Sequence, residues 1–269
     1  MKTDVILRSV ATKDRSLRFF AMLRITVLAA VFLFAANKIS FAETSVFAEA
    51  NAKYQSRDYK AATELYHKII ESGKSSSAVF YNLGNAQYRF GQKGQALISY
   101  ERAARLSPRD EDIRWNIDVL KSLFLDRIDF SDDPIVIYWI KKATGFFSIN
   151  EMALVFSGVI FLWMAAAFLS FLFPGVESMA RGARGLVLVC LISAAFLFWF
   201  KWQDTKDPRI VVTSTESIVR YGPSDKETKA FVLHEGAQAK VTDEVKEWFF
   251  ISLKNKNSGW ILKDSCEVI

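Results

Sequence analysis

The stretch "VFYNLGNAQYRFGQKGQALISYERAARLSP", Val79 to Pro108, reads as a helix, a Gly-centred turn and a second helix closed by a proline. Shifting the chain by 34 residues aligns Asn51 with Asn85, Tyr54 with Tyr88, Ala62 with Ala96, Tyr66 with Tyr100 and Lys68 with Arg102, without a gap. That period belongs to two-helix units that stack on copies of themselves because one unit cannot bury its apolar face alone. Gly84, Ala96 and Ala103 are small where helices must cross closely, and Phe80, Leu83 and Tyr100 fill the space beside them. A third segment, "DEDIRWNIDVLKSLFLD" (Asp110 to Asp126), repeats Asn82 as Asn116 and is expected to cap the stack.

The second copy resembles the tetratricopeptide (TPR) repeat family. Phe80, Leu83 and Gly84 stand at its large-x-x-Leu-Gly positions, Ala96 and Tyr100 at its Ala-x-x-x-aromatic positions, followed by Ala103 and Pro108. Gln87 departs from the pattern's tyrosine, with Tyr88 beside it, and the first copy, residues 43–76, has Glu49 for leucine and Ala50 for glycine. The resemblance predicts a helical domain over 43–126 whose first helices face a concave, peptide-holding surface. On that surface it places Asn51, Tyr54, Tyr81, Asn85, Tyr88 and Arg89 as the candidate partner contacts. Phe47, Tyr81 and Trp115 occupy leading positions where peptide-carboxylate-binding members carry lysines, which argues against a carboxylate clamp. The alternative is that these aromatics pack against neighbouring helices. His67 has no ligand spacing and is expected at the surface.

Composition locates the remainder. Hydrophobic residues make up 51% of the 269, yet charged residues are an ordinary 24%, so the apolar excess must be concentrated. The net charge of +6 is strongest before Leu23 and elsewhere mixed with acids, which speaks against a nucleic-acid surface. Two cysteines, Cys190 and Cys266, make neither a disulfide framework nor a four-ligand zinc site, and no cofactor motif occurs.

Residues 1–42 read as a secretory signal: basic residues, an apolar run from Ile25 to Ala36, and Ser40-Phe41-Ala42 as the cleavage site, with Met22 an alternative start. An uncleaved anchor helix is the alternative. Residues 127–150 are expected as a juxtamembrane linker in which Tyr138, Trp139, Phe146 and Phe147 suit the headgroup level, and Ser148 to Glu151 offers helix-starting chemistry. Two spans are expected at 151–173 and 185–202, because roughly 20 apolar residues cross a hydrocarbon core. The second, shorter run has a buried core helix as its alternative. The loop 174–184 between them is short enough to force an antiparallel hairpin. With the signal, this predicts a cytoplasmic loop and both flanking modules on the periplasmic or extracytoplasmic side of the inner membrane.

Residues 208–269 change character, alternating β-branched and aromatic runs with turn clusters at Tyr221 to Ser224, His234 to Gly236 and Asn255 to Gly259, so five or six strands of a small barrel are expected. Ser217-Ile218-Val219-Arg220, Gly222-Pro223-Ser224, Leu233-x-Glu235-Gly236, Trp248-Phe249-x-Ile251 and Gly259-Trp260-Ile261 resemble the bacterial SH3 family. That resemblance implies a wall or peptide adaptor, with Arg220, Tyr221, Trp248 and Trp260 as the candidate groove; barrel-face packing is the other use for each tryptophan.

Signal, TPR repeats, membrane hairpin and bacterial SH3 domain, in this order, resemble the BatE-type proteins of bacterial aerotolerance operons. The resemblance implies a membrane-anchored scaffold with von Willebrand A-type membrane partners and a MoxR-type ATPase. Peptidoglycan or a peptide is a further ligand class for the C-terminal domain, and the lipid bilayer is a partner of the spans. No constellation of nucleophile, base and acid is apparent, so the chain is expected not to be an enzyme. A component of cell-wall remodelling is the rival reading, with His234 and Cys266 the one extracytoplasmic pair that could serve it.

Overall fold

The computed structural model describes residues 43–126, 134–172, 177–206, 208–253 and 257–269. The signal and start-site expectations for 1–42 lie outside them. Residues 45–269 form one compact unit, and the described residues contain eight α-helices and a seven-stranded antiparallel sheet.

Five helices build the N-terminal array: α1 (Glu43–Gln55), α2 (Tyr59–Glu71), α3 (Ser77–Phe90), α4 (Lys93–Leu106) and α5 (Glu111–Leu123). Local chemistry sets their ends. Asp58, Ser76 and Asp110 each accept a hydrogen bond from the first-turn backbone of α2, α3 and α5, and α3 stops at Gly91, whose φ of +93° suits glycine. Two apolar clusters run through the array, one around Ala50, Ala62, Tyr66 and Leu83, the other around Leu97, Ile98, Tyr100 and Ile117. Gly84 lies where the sequence demanded a close approach: a Cβ there would stand 2.7 Å from the Tyr100 ring. Gln87, the departure from the repeat pattern, is buried and accepts a 2.6 Å hydrogen bond from the Ser99 hydroxyl, which is why a polar side chain is tolerated there.

The stretch expected as a linker contains a helix, α6 (Ile135–Gly145), with Tyr138 and Trp139 in edge contact and both exposed. It leads into α7 (Ile149–Leu172) through a reciprocal cap: the Ser148 N–H donates to the Glu151 carboxylate, and the Glu151 N–H donates to the Ser148 hydroxyl. α8 (Glu177–Lys206) begins within the stretch expected as a loop, so helix replaces most of 174–184, and it continues past 202 to Lys206. α7 and α8 pack together, with Phe156 and Phe198 stacked at 6.0 Å. Both are long and apolar enough to cross a membrane, and they leave Leu154, Leu162, Leu186 and Ile192 exposed at 60–74%.

The sheet comprises β1 (Arg209–Val212), β2 (Glu216–Arg220), β3 (Lys229–His234), β4 (Gln238–Val245), β5 (Trp248–Ser252), β6 (Ser258–Leu262) and β7 (Cys266–Val268), in the order β3-β2-β6-β5-β4-β1-β7. Seven strands replace the five or six expected, because β1 and β7 are too short for an alternating pattern. β3 and β7 stand six strand spacings apart, about 29 Å in a flat sheet. Leu233 of β3 and Cys266 of β7 nevertheless belong to one buried cluster, so the sheet is strongly curled around a core.

Candidate functional site

The repeat period is written into the hydrogen bonds. The Tyr66 hydroxyl donates to Asn51 Oδ1 at 2.6 Å, and 34 residues on the Tyr100 hydroxyl donates to Asn85 Oδ1 at 2.7 Å. In each copy a buried tyrosine on the second helix pins an asparagine on the first. Burial, the largest influence, pushes the Tyr66 hydroxyl up to about 12 and raises Tyr100 as well, so both are neutral donors at physiological pH. Asn82 Nδ2 adds a second donor to Asn51 Oδ1 at 3.1 Å.

These side chains wall a small cavity of about 200 Å³ lined by Asn51, Tyr54, Gln55, Tyr66, Asn82 and Asn85. The acceptor oxygens of Asn51 and Asn85 are taken by the tyrosines, which leaves amide nitrogens as the donors on offer. Arg89 is exposed, its pKa raised first by the neighbouring Tyr54, and Tyr88 beside it is 37% exposed. The structure thus gathers Asn51, Tyr54, Asn85 and Arg89. Tyr81 points elsewhere: its hydroxyl accepts from Asn116 Nδ2 at 3.3 Å, and its ring lies 5.8 Å from that of Tyr100. Gln55 and Asn82, which line the cavity, were not among the expected contacts. Trp115, which the sequence placed with Phe47 and Tyr81 at leading positions of the repeat surface, is 69% exposed.

On the sheet, Arg220, Trp260, Phe250 and Asp243 are cross-strand neighbours in one row over β2, β6, β5 and β4, hence on one face. The Trp260 and Phe250 rings lie 5.0 Å apart, Arg220 Nη1 donates to the Glu227 carbonyl, and Tyr221 is 68% exposed. Trp248 is buried at 7% exposure, so it does not present a stacking face beside Trp260.

His234 and Cys266 do not meet as a reactive pair. His234 turns to Asp126, its backbone N–H at 2.7 Å and its Nδ1 at 3.2 Å from the carboxylate. The Cys266 thiol is buried, contacts the carbonyls of Leu262 and Lys263, and is pushed up to about 12 by burial and then by Asp264.

The His234 contact belongs to a seam the sequence reading did not anticipate, because it treated the array and the C-terminal domain as separate bodies. The Gly94 N–H at the start of α4 donates to Glu235 Oε1 at 2.7 Å, and a Cβ on Gly94 would stand 2.9 Å from the Val212 carbonyl oxygen. Arg102 pairs with Glu267 at 2.8 Å, Phe124 covers Gly236, and Val211 of β1 is fully buried within the helical cluster. The second helix of the second copy therefore carries the sheet on its back, while the first helices keep their own face. No protein-family model matches the chain, and no curated protein matches it.

Proposed function

We propose that this chain is a membrane-anchored, extracytoplasmic adaptor of the TPR type with an SH3-like C-terminal barrel, and that it holds an extended segment of a partner protein along its first helices. One observation carries the reading: the duplicated tyrosine-to-asparagine clamps preform a cavity with unspent amide donors, and Trp115 of α5 is exposed. A groove with fixed amides and aromatic area suits a peptide backbone, whose carbonyls need donors and whose side chains need apolar cover. α7 and α8 are then two spans that hold the groove at the membrane, concentrating it near membrane-bound partners. The family resemblance supplies the partner classes, von Willebrand A-type membrane proteins and a MoxR-type ATPase. The row of Arg220, Trp260 and Phe250 with the exposed Tyr221 is a second contact face, for a peptide or a wall fragment. The role is binding rather than catalysis.

Tyr81 and Asn85 each hold a neighbouring helix, so replacing them would confuse binding with folding. A photoreactive residue at Gln55 or Trp115 tests the groove in native membranes. It should give one discrete protein adduct that a second substitution, Tyr54→Ala, weakens. Adducts at Tyr221 but none at Gln55 or Trp115 would move the partner to the sheet and sink the groove reading.

A further inference from the structure

A cavity of about 790 Å³ lies where the array, the sheet and the helix ends of α7 and α8 meet. Ile149, the first residue of α7, and Lys201, Asp204 and Thr205 of the last turns of α8 line one side, and Phe80, Leu106 and Phe124 add apolar wall. Five cationic side chains face it, three carboxylate side chains oppose them, and Ile269 also lines it. Most of these charges are already matched. Arg102 pairs with Glu267, Lys121 with Glu101 at 2.7 Å and Arg209 with Asp204 at 3.6 Å, while Asp126 is held by His234.

Two cations are left over. Arg105, in the last turn of α4, and Lys201, in α8, have neither an ion pair nor a side-chain hydrogen bond among the described residues. Burial, the largest influence, pulls the Arg105 pKa below its ordinary value; Arg209 and Arg102 act the same way, against Glu101 and Asp204. Arg105 keeps its proton and is exposed at the edge of the cavity, so its charge is open to an incoming anion.

We propose that this cavity binds the phosphate of an anionic phospholipid headgroup between Arg105 and Lys201. The lipid source follows from the position. If α7 and α8 span the membrane, as the functional reading has it, their ends lie at headgroup depth, with Trp199 and Trp202 exposed on the same turns of α8. The apolar wall then receives the glycerol end of the lipid, and the guanidinium and ammonium that line the same cavity receive its charge. Such a lipid would fasten the array and sheet to the span ends at one point.

The test uses the full chain in nanodiscs of phosphatidylcholine and phosphatidylglycerol in equal parts, extracted in mild detergent and weighed by native mass spectrometry. The wild type should retain phosphatidylglycerol over phosphatidylcholine. Arg105→Gln with Lys201→Gln should lower that preference about tenfold, and Arg105→Lys with Lys201→Arg should keep it. On the unmodified protein, phosphatidylglycerol should also shield Arg105 from phenylglyoxal. Equal retention of the two lipids by the wild type, or an unchanged preference in the glutamine pair, overturns the site. Shielding by inorganic phosphate as strong as by the lipid overturns the lipid as its occupant. Alkaline washing of phosphatidylcholine vesicles judges the spans separately: release of the chain refutes the spans, whereas a chain that stays but shows no lipid preference refutes the site alone.

Discussion

The two copies of the repeat share a clamp and differ on their backs. Gly94, Leu97, Ile98 and Arg102 of α4 correspond by the 34-residue shift to Lys60, Thr63, Glu64 and Lys68 of α2. In α4 seven residues are buried, Ile98 completely; in α2 three are, and Lys60, Glu64 and Lys68 are exposed. The inner sides, Tyr66 on Asn51 and Tyr100 on Asn85, are the same. The repeat therefore fixes how one helix meets the next, and the outer face of its second helix is free to meet water or another domain. Copy one met water, and copy two met the sheet.

Exchanging those outer residues should give the largest effect. Ile98→Glu imports the copy-one residue into a site that is fully buried next to Val211, and a carboxylate there has no partner. Its cost should be about 3–5 kcal/mol in urea unfolding of the detergent-solubilised chain. The reverse change, Glu64→Ile, sits at an exposed position and should move stability by less than about 0.5 kcal/mol. Equal effects from the two would mean that the sheet does not rest on α4 in solution.

This seam also marks the limit of what the sequence disclosed. The repeat, the close approach at Gly84, the capping helix, the two apolar helices and the start of α7 at Ser148 and Glu151 were all legible, because each is a pattern within a few dozen residues. The seam pairs Gly94 with Glu235 and Asp126 with His234, more than 100 residues apart, and no local period reports that. A trace was present nonetheless: Ile98 stands where the first copy has Glu64, and an apolar residue on the outer face of one copy alone asks for a cover. In the candidate groove, Asn51, Tyr54 and Asn85 were found by their repeat positions. Gln55 was not, since it matches Arg89 only by register and carries no motif.

Alkaline pH tests the shared inner clamps. An ordinary tyrosine loses its proton near pH 10, but Tyr66 is held up to about 12 by burial. Its contribution should be complete below pH 10 and should fade between pH 10 and 12, as the unfolded chain ionises first. The loss should approach about 3 kcal/mol, with Tyr100 shifted in the same direction and adding to it. Stability that stayed level across that window would mean the hydroxyls are open to water.

Next in size is an inner position where the copies differ, Ala50 against Gly84. A methyl at 84 would press on the Tyr100 ring, which cannot retreat because its hydroxyl is held by Asn85. Gly84→Ala should cost about 1–3 kcal/mol by overpacking. At Ala50 the methyl is already accommodated and fully buried, so Ala50→Gly should cost about 1–2 kcal/mol, the helix-backbone penalty plus the lost buried methyl. Thermal unfolding of the two variants in the same detergent compares them directly, and a stabilised Gly84→Ala would remove the close approach.

The smallest effect separates the clamps themselves. Tyr66→Phe and Tyr100→Phe each delete one hydroxyl and leave the ring in place, so each should cost about 1 kcal/mol, the net worth of one hydrogen bond. Asn51 Oδ1 keeps a second donor, Asn82 Nδ2, when Tyr66 is altered, whereas Asn85 Oδ1 has Tyr100 alone. The loss at Tyr100 should therefore exceed that at Tyr66 by a few tenths of a kcal/mol. A combined Tyr66→Phe and Asn82→Ala variant should close the gap, because it leaves Asn51 as bare as Asn85 becomes. If Tyr66→Phe proved the costlier of the two single changes, Asn82 would not be sharing the Asn51 oxygen, and the wall of the groove would have to be redrawn around Asn51.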